Sequence, residues 1–260
     1  MSEHPLRFLD CNCGVGPSMG GPGPGCDGSI ATLLRTMDSL GIAEACPFAL
    51  AEYDGNPGTG NAWLDKAVTE RERLHPVLVI GPNACGEFIA AADLAGRMRA
   101  SGARMLRLPL APLAAQKELD VSLIEDLLDA MAEHRIPLIV DCLTSLEQVR
   151  TSEVVAMLRG WPTSHLILSF PKLGTDDRRF YALWDRFEHF HVDLPGYQTL
   201  GAIEDVTRRF GSQRIVFGTR YPHFTPLQTM LQVIYSDVDE AAKRDIAGET
   251  IRRLLREVQL

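Results

Sequence analysis

Eight short apolar runs, each followed by an amphipathic stretch, recur along the whole chain, and this alternation is what most restricts the fold. The runs occupy residues 7–10, 45–50, 76–81, 104–108, 137–141, 165–170, 190–194 and 214–218. They read as strands. Val, Ile and Leu stand side by side in them rather than alternating with polar residues, as expected of a parallel sheet covered on both faces. The stretches between them (29–40, 61–73, 88–100, 121–133, 145–158, 178–187, 203–210 and 227–234) read as helices. In 121–133, Ile124, Leu127, Leu128 and Met131 recur at three- and four-residue steps and form one helical face.

Eight strand–helix pairs in 260 residues predict an α/β fold of the (β/α)8 TIM-barrel type. A doubly wound open sheet is the alternative, but no Gly-x-Gly-x-x-Gly or Walker-type loop follows the first strand. Residues 238–260 are expected to add one or two helices covering the last repeat. No linker or shift of composition divides the chain, so residues 1–260 are read as one domain. The segment GVGPSMGGPGPGCDG (14–28) directly follows the first strand, which makes it a long rim loop.

With 45% hydrophobic and 23% charged residues, the chain can bury a full core, which excludes intrinsic disorder. A formal net charge of −8 argues against a nucleic-acid partner. No apolar run approaches the ~20 residues of a membrane span, and the first residues lack a signal-peptide pattern. Six scattered cysteines then read as reduced thiols of a cytoplasmic protein. The frequency of two-fold assemblies makes a homodimer the default expectation.

In a barrel of this kind chemistry collects at the C-terminal ends of the strands. Those ends carry Asp10, Asn12 and Gly14, then Glu52 and Tyr53, Asn83, Arg107, Asp141, Phe170 and Lys172, Asp193, and Arg220 to His223. Arg107 suits a substrate carboxylate or an ion pair with a neighbouring acid. His223 suits a general base, since its unperturbed pKa is ~6.5, or a satisfied loop histidine. Tyr53 and Lys172 face the mouth as substrate contacts or as plain surface residues. Asp193 is a carboxylate base or a partner for Lys172 or Arg220.

FLDCNCGVG after the first strand, IPLIVD on the fifth, LILSF on the sixth and RIVFGTRYPHF on the eighth resemble the amidohydrolase-related family. That family includes the aminocarboxymuconate-semialdehyde decarboxylase-like enzymes. Gly60–Asn61 and the closing GETIRRLL extend the resemblance over nearly the whole chain. It implies a (β/α)8 barrel that usually holds one divalent metal and hydrolyses or decarboxylates small carboxylated substrates. This sequence departs from the pattern at every usual ligand position. The Asp-x-His-x-His of the first strand is here Asp10, Asn12 and Gly14. The histidines of strands five and six correspond to Asp141 and Phe170, and the aspartate of the strand-eight motif to Arg220.

A count of donors leads to the same conclusion. Of seven histidines, only His223 falls on the catalytic side, whereas a zinc site needs three or four ligands. Neither a metal nor another cofactor is expected. If Asn12 and Asp141 point inward, strand alternation turns Cys11, Cys13 and Cys142 outward, where packing is their expected role. Cys26, in the Gly/Pro loop, is the more exposed thiol.

The exchange is coupled: a neutral histidine has become Asp141, and a metal-binding acid has become Arg220. A guanidinium in the vacated metal position would pair with Asp141, with Asp10 as the second candidate, and offer donors to an anionic ligand. The expected catalytic set is Asp141, Arg220 and His223. The expected substrate contacts are Asn12, Tyr53, Arg107, Lys172 and Asp193. Together they suit a metal-independent hydrolase of a small carboxylated or lactone-like compound. The alternative is a catalytically inactive binding or regulatory barrel.

Overall fold

In the computed structural model, the described residues are 5–18, 21, 26–51, 57–69, 72–109, 120–142, 151–170, 178–197 and 199–260. Eight parallel strands surround a common axis: β1 (Phe8–Val15), β2 (Ile42–Ala49), β3 (Val77–Val79), β4 (Met105–Pro109), β5 (Leu138–Asp141), β6 (Leu166–Ser169), β7 (Phe190–Asp193) and β8 (Ile215–Val216). Strands β3 to β8 hydrogen-bond in sequence order, and β1 pairs with β2. The two remaining seams are stitched by fewer bonds. Between β2 and β3, Ala45 N donates to Arg73 O (2.9 Å) and His75 N to Ala45 O (2.8 Å). Between β8 and β1, Cys11 N donates to Phe217 O (3.0 Å) and Arg220 N to Asn12 O (2.7 Å). The barrel therefore closes, as the alternation of segments predicts.

Helices α1 (Ile30–Leu40), α2 (Pro57–Ala67), α3 (Leu94–Ser101), α4 (Glu125–Glu133), α5 (Thr151–Gly160), α6 (Arg178–Arg186), α7 (Ala202–Phe210) and α8 (Pro226–Ile234) follow the strands in turn. Local chemistry sets their ends. The Ser29 hydroxyl accepts from Thr32 N at the start of α1, and Gly41, at φ 74°, ends it in a left-handed conformation that glycine adopts without steric cost. In α4, Leu127, Leu128 and Met131 are the buried face.

The barrel interior has two layers. The lower layer is apolar: Leu9, Val77, Met105, Ile139, Ile167 and Val216 pack with Phe48 and Leu50. Beyond α9 (Glu240–Arg244), helix α10 (Thr250–Glu257) adds Ile251, Leu254 and Leu255 to this cluster. The C-terminal tail thus closes the floor of the barrel instead of only covering the last repeat. Above this layer the inward positions become polar. Strand alternation places Met105 and Arg107, Ile139 and Asp141, and Ile167 and Ser169 inside, while Leu106, Leu108, Val140, Leu168 and Phe170 face the helices.

Several boundaries differ from the sequence expectation. β1 runs on to Val15, five residues beyond the predicted end, because Asn12 and Gly14 are still paired with neighbours. Helix α3 begins at Leu94, since residues 88–93 hold a loop in which Asn83 Oδ1 accepts from Phe88 N, followed by a short 3-10 turn. Gly196, just after β7, has no room for a side chain. A Cβ there would overlap the carbonyl oxygen and ring of Phe170. Gly196→Ala is therefore expected to cost about 1–3 kcal/mol, measurable as a lowered urea midpoint with unchanged slope.

Candidate active site

Six side chains from the C-terminal ends of the strands form one buried polar layer. The carboxylate of Asp141 is its centre. Its Oδ2 accepts from Arg107 Nη2 in an ion pair, and its Oδ1 accepts from Arg220 Nη1 at 2.6 Å. Arg220 Nη1 also donates to Ser169 Oγ at 2.9 Å. Asn12 links the two halves of the layer: its Oδ1 accepts from Arg107 Nη1 (2.9 Å), while Nδ2 donates to Ser169 Oγ (2.8 Å) and to Asp193 Oδ2 (2.7 Å). The guanidinium of Arg107 also stacks 3.7 Å above the Phe48 ring centroid, a cation–π contact on the apolar layer beneath. Arg107, Asp141, Ser169 and Asp193 are wholly inaccessible, and Arg220, at 5%, is the most exposed of the six.

Two charges of each sign share this space, which is how a closed interior tolerates them. Desolvation pushes the Asp193 carboxyl up to about 6, against the opposing influence of Arg220 and the hydrogen bonds of Asn12 and Ser169. Arg220 itself sits at φ 52°, an uncommon conformation for a residue other than glycine. His223 follows on the exposed rim, and its amide donates to Arg220 O. Partial desolvation and the Arg220 guanidinium hold its imidazole below the ordinary value, so it is neutral at neutral pH.

The structure brings together Asn12, Arg107, Asp141, Asp193 and Arg220 and sets His223 at their edge. Tyr53 and Lys172 lie outside the described residues. Three expectations need correction. Asp10 is not a partner of Arg220. It accepts from Thr219 Oγ1 (2.5 Å) and from the amides of Thr219 and Asn12, and desolvation raises it to about 6. Phe170 is not the inward residue of β6. It stacks on Phe180 outside the barrel, and Ser169, paired in register with Asp141, points in. Cys11 does not face the helices. The β1–β2 register shifts between Asp10 and Cys13, so Cys11 joins the inner cluster while Cys13 and Cys142 pack outward.

Ser169 and Thr219 are the functional positions that sequence reasoning missed. Parity from Ile167 would have found Ser169. At the starts of β6 and β7, His165 Nδ1 meets His191 Nε2 at 2.8 Å, and His191 Nδ1 reaches Gln213 O at 2.7 Å.

A divalent metal of the family type does not fit these residues. A histidine at position 14 would have to displace Leu50, whose side chain a Cβ on Gly14 already overlaps, and would crowd Phe48. The Arg220 guanidinium stands between Asp141 and Ser169, and the Asn12 amide is committed to Arg107, Ser169 and Asp193. Among the described residues no three His, Cys, Asp or Glu side chains are grouped to hold a metal ion.

Two stability predictions follow from the pairing. Asp141 neutralises two guanidiniums, so Asp141→Ala is expected to cost about 3–5 kcal/mol. Arg220→Ala leaves Asp141 paired with Arg107 and is expected to cost less, about 1–3 kcal/mol, with both read by urea unfolding. For Asp193, a folded pKa raised to about 6 means that its contribution is full below the unfolded value and is lost as pH rises through the folded one. Asp193→Asn should therefore stabilise the fold by on the order of 1–3 kcal/mol above about pH 6, and should give no gain near pH 4.

Comparison with known proteins gives the family and the fold. An amidohydrolase family model matches residues 48–256, a range that begins in β2 and leaves out the strand carrying Asn12 and Gly14. No curated protein matches the chain. Among solved structures, an uncharacterized TIM-barrel protein from Bordetella bronchiseptica superposes with a TM-score of 0.72 at 17% identity, covering 97% of this chain and 99% of its own. A 2,6-dihydroxybenzoate decarboxylase from Rhizobium gives 0.73 at 14% identity, over 96% and 99%. A 5-carboxyvanillate decarboxylase from Sphingomonas paucimobilis gives 0.72 at 12%, over 96% and 99%. The chain is a (β/α)8 barrel and belongs to the amidohydrolase family.

Proposed function

We propose that this protein is a metal-independent hydrolase acting on a small carboxylated or lactone-like compound. The observation that carries the reading is the Arg220 guanidinium, held by Asp141 and Ser169 at the convergence of the strand ends. A fixed cation there, at the edge of a water-poor layer, stabilises negative charge developing on a bound carbonyl and needs no reorganisation to do so. Its planar fork also suits a ligand carboxylate. The neutral imidazole of His223 on the rim exchanges protons between the site and bulk water. Two of the similar folds belong to decarboxylases named for carboxylated aromatic substrates, which favours the same size and charge class of ligand. A second reading, a barrel that binds an anion without turning it over, is favoured by how completely the layer is paired within itself.

A panel of carboxylated lactones and aryl esters, assayed by proton release on chelator-dialysed protein, separates the two. The hydrolase reading expects turnover that survives dialysis. It also expects Arg220→Lys to raise KM at least about tenfold, on the order of 1.4 kcal/mol, because the charge stays and the fork is lost. Calorimetric binding of panel members with no turnover would select the binding barrel instead.

A further inference from the structure

Asp193 is the unfinished member of the buried layer. Its Oδ2 accepts from Asn12 Nδ2 at 2.7 Å, but its Oδ1 is buried without a hydrogen-bond partner among the described residues. Among the described residues no guanidinium forms an ion pair with it, although both arginines lie in the same layer and serve Asp141. Among the described residues, Arg220 and Asp141 lie close enough to influence the charge of Asp193, Ser169 and Asn12 offer hydrogen bonds, and the buried thiols of Cys11 and Cys142 are within range of its charge. Gly218 packs against the other oxygen, since a Cβ there would come within 3.1 Å of Oδ2. A buried acceptor left open costs on the order of 1–3 kcal/mol, and more when charged, so its retention calls for a use.

Resting on the hydrolytic reading above, we propose that Asp193 is the general acid–base of the site, with Oδ1 as the atom that accepts and returns the proton. The water oxygen bonds to the acyl carbon while one of its protons passes to Oδ1. The acyl C–O bond then breaks, its electron pair stays with the departing alkoxide oxygen, and that oxygen takes the proton from Oδ1. Ester and water become acid and alcohol, and the carboxylate is regenerated. The desolvation that raises Asp193 to about 6 places it where it can both take and release a proton near neutrality. Asp10, desolvated to the same degree, is not poised in this way, because Thr219 and two amides occupy its oxygens.

The test is the pH dependence of kcat/KM for wild type, Asp193→Asn and His223→Gln on whichever carboxylated lactone of the panel turns over fastest. The wild type is expected to lose activity below about pH 6. Asp193→Asn should lower turnover by at least about 100-fold and abolish that acid limb. His223→Gln should keep the limb, whatever it does to the rate. An active wild type with an unimpaired Asp193→Asn overturns this inference alone. So does an acid limb that disappears in His223→Gln, and this second comparison decides the matter if Asp193→Asn fails to fold. A wild type inert towards the whole panel overturns the hydrolytic reading and this inference with it.

Discussion

One carboxylate clasped by two guanidiniums sets the terms for the rest of the barrel. Asp141 has Arg107 on one oxygen and Arg220 on the other, and both pairs are sealed from water. An ion cluster of this kind is tolerable only if its remaining donors and acceptors are also met. Asn12 and Ser169 meet most of them, bridging β1, β4, β6, β7 and the segment after β8, and leave Asp193 Oδ1 open among the described residues. The strand ends are thus tied across the mouth by side chains, including at the β8–β1 seam where backbone pairing is sparse. The strained backbone at Arg220 is bonded on both sides, through its own amide to Asn12 O and through its carbonyl to the amide of His223.

Charge at the top of the barrel depends on the absence of charge beneath it. Leu9, Met105, Ile139 and Ile167 fill the lower interior, and α10 closes the floor with Ile251, Leu254 and Leu255. This dry base gives Arg107 an aromatic face to lie on and denies the carboxylates any water from below. It is also why Asp10 and Asp193 are driven upward while His191, near the opposite rim, is driven downward: burial disfavours whichever form is charged.

The fold was legible because its signal is spread over the chain. Eight buried runs with eight amphipathic partners survive errors of several residues at any one boundary, as with β1 and α3. The polar layer was half legible. The strand-end rule leads directly to Asn12, Arg107, Asp141, Asp193 and Arg220, but the direction of each side chain depends on register. At β6 a family pattern drew attention to Phe170, while simple alternation from Ile167 selects Ser169. At β1 alternation itself failed, because a register shift between Asp10 and Cys13 lets Cys11 and Asn12 both face inward. Such an irregularity leaves no mark in composition or periodicity. Nor does the sequence reveal that Asp10 is satisfied by Thr219 rather than by Arg220, since this depends on where the β8–β1 seam closes.

On the reading proposed above, the Arg220 guanidinium takes the place of the divalent cation that the family resemblance implies. A crystal structure of protein purified without chelator, with anomalous data collected above the edges of the first-row transition metals, tests it most directly. Planar guanidinium density from Arg220 joining Asp141 and Ser169 is expected, with no anomalous peak between them. An anomalous peak coordinated by Asp141 at that position, with Arg220 turned out towards solvent, would contradict it.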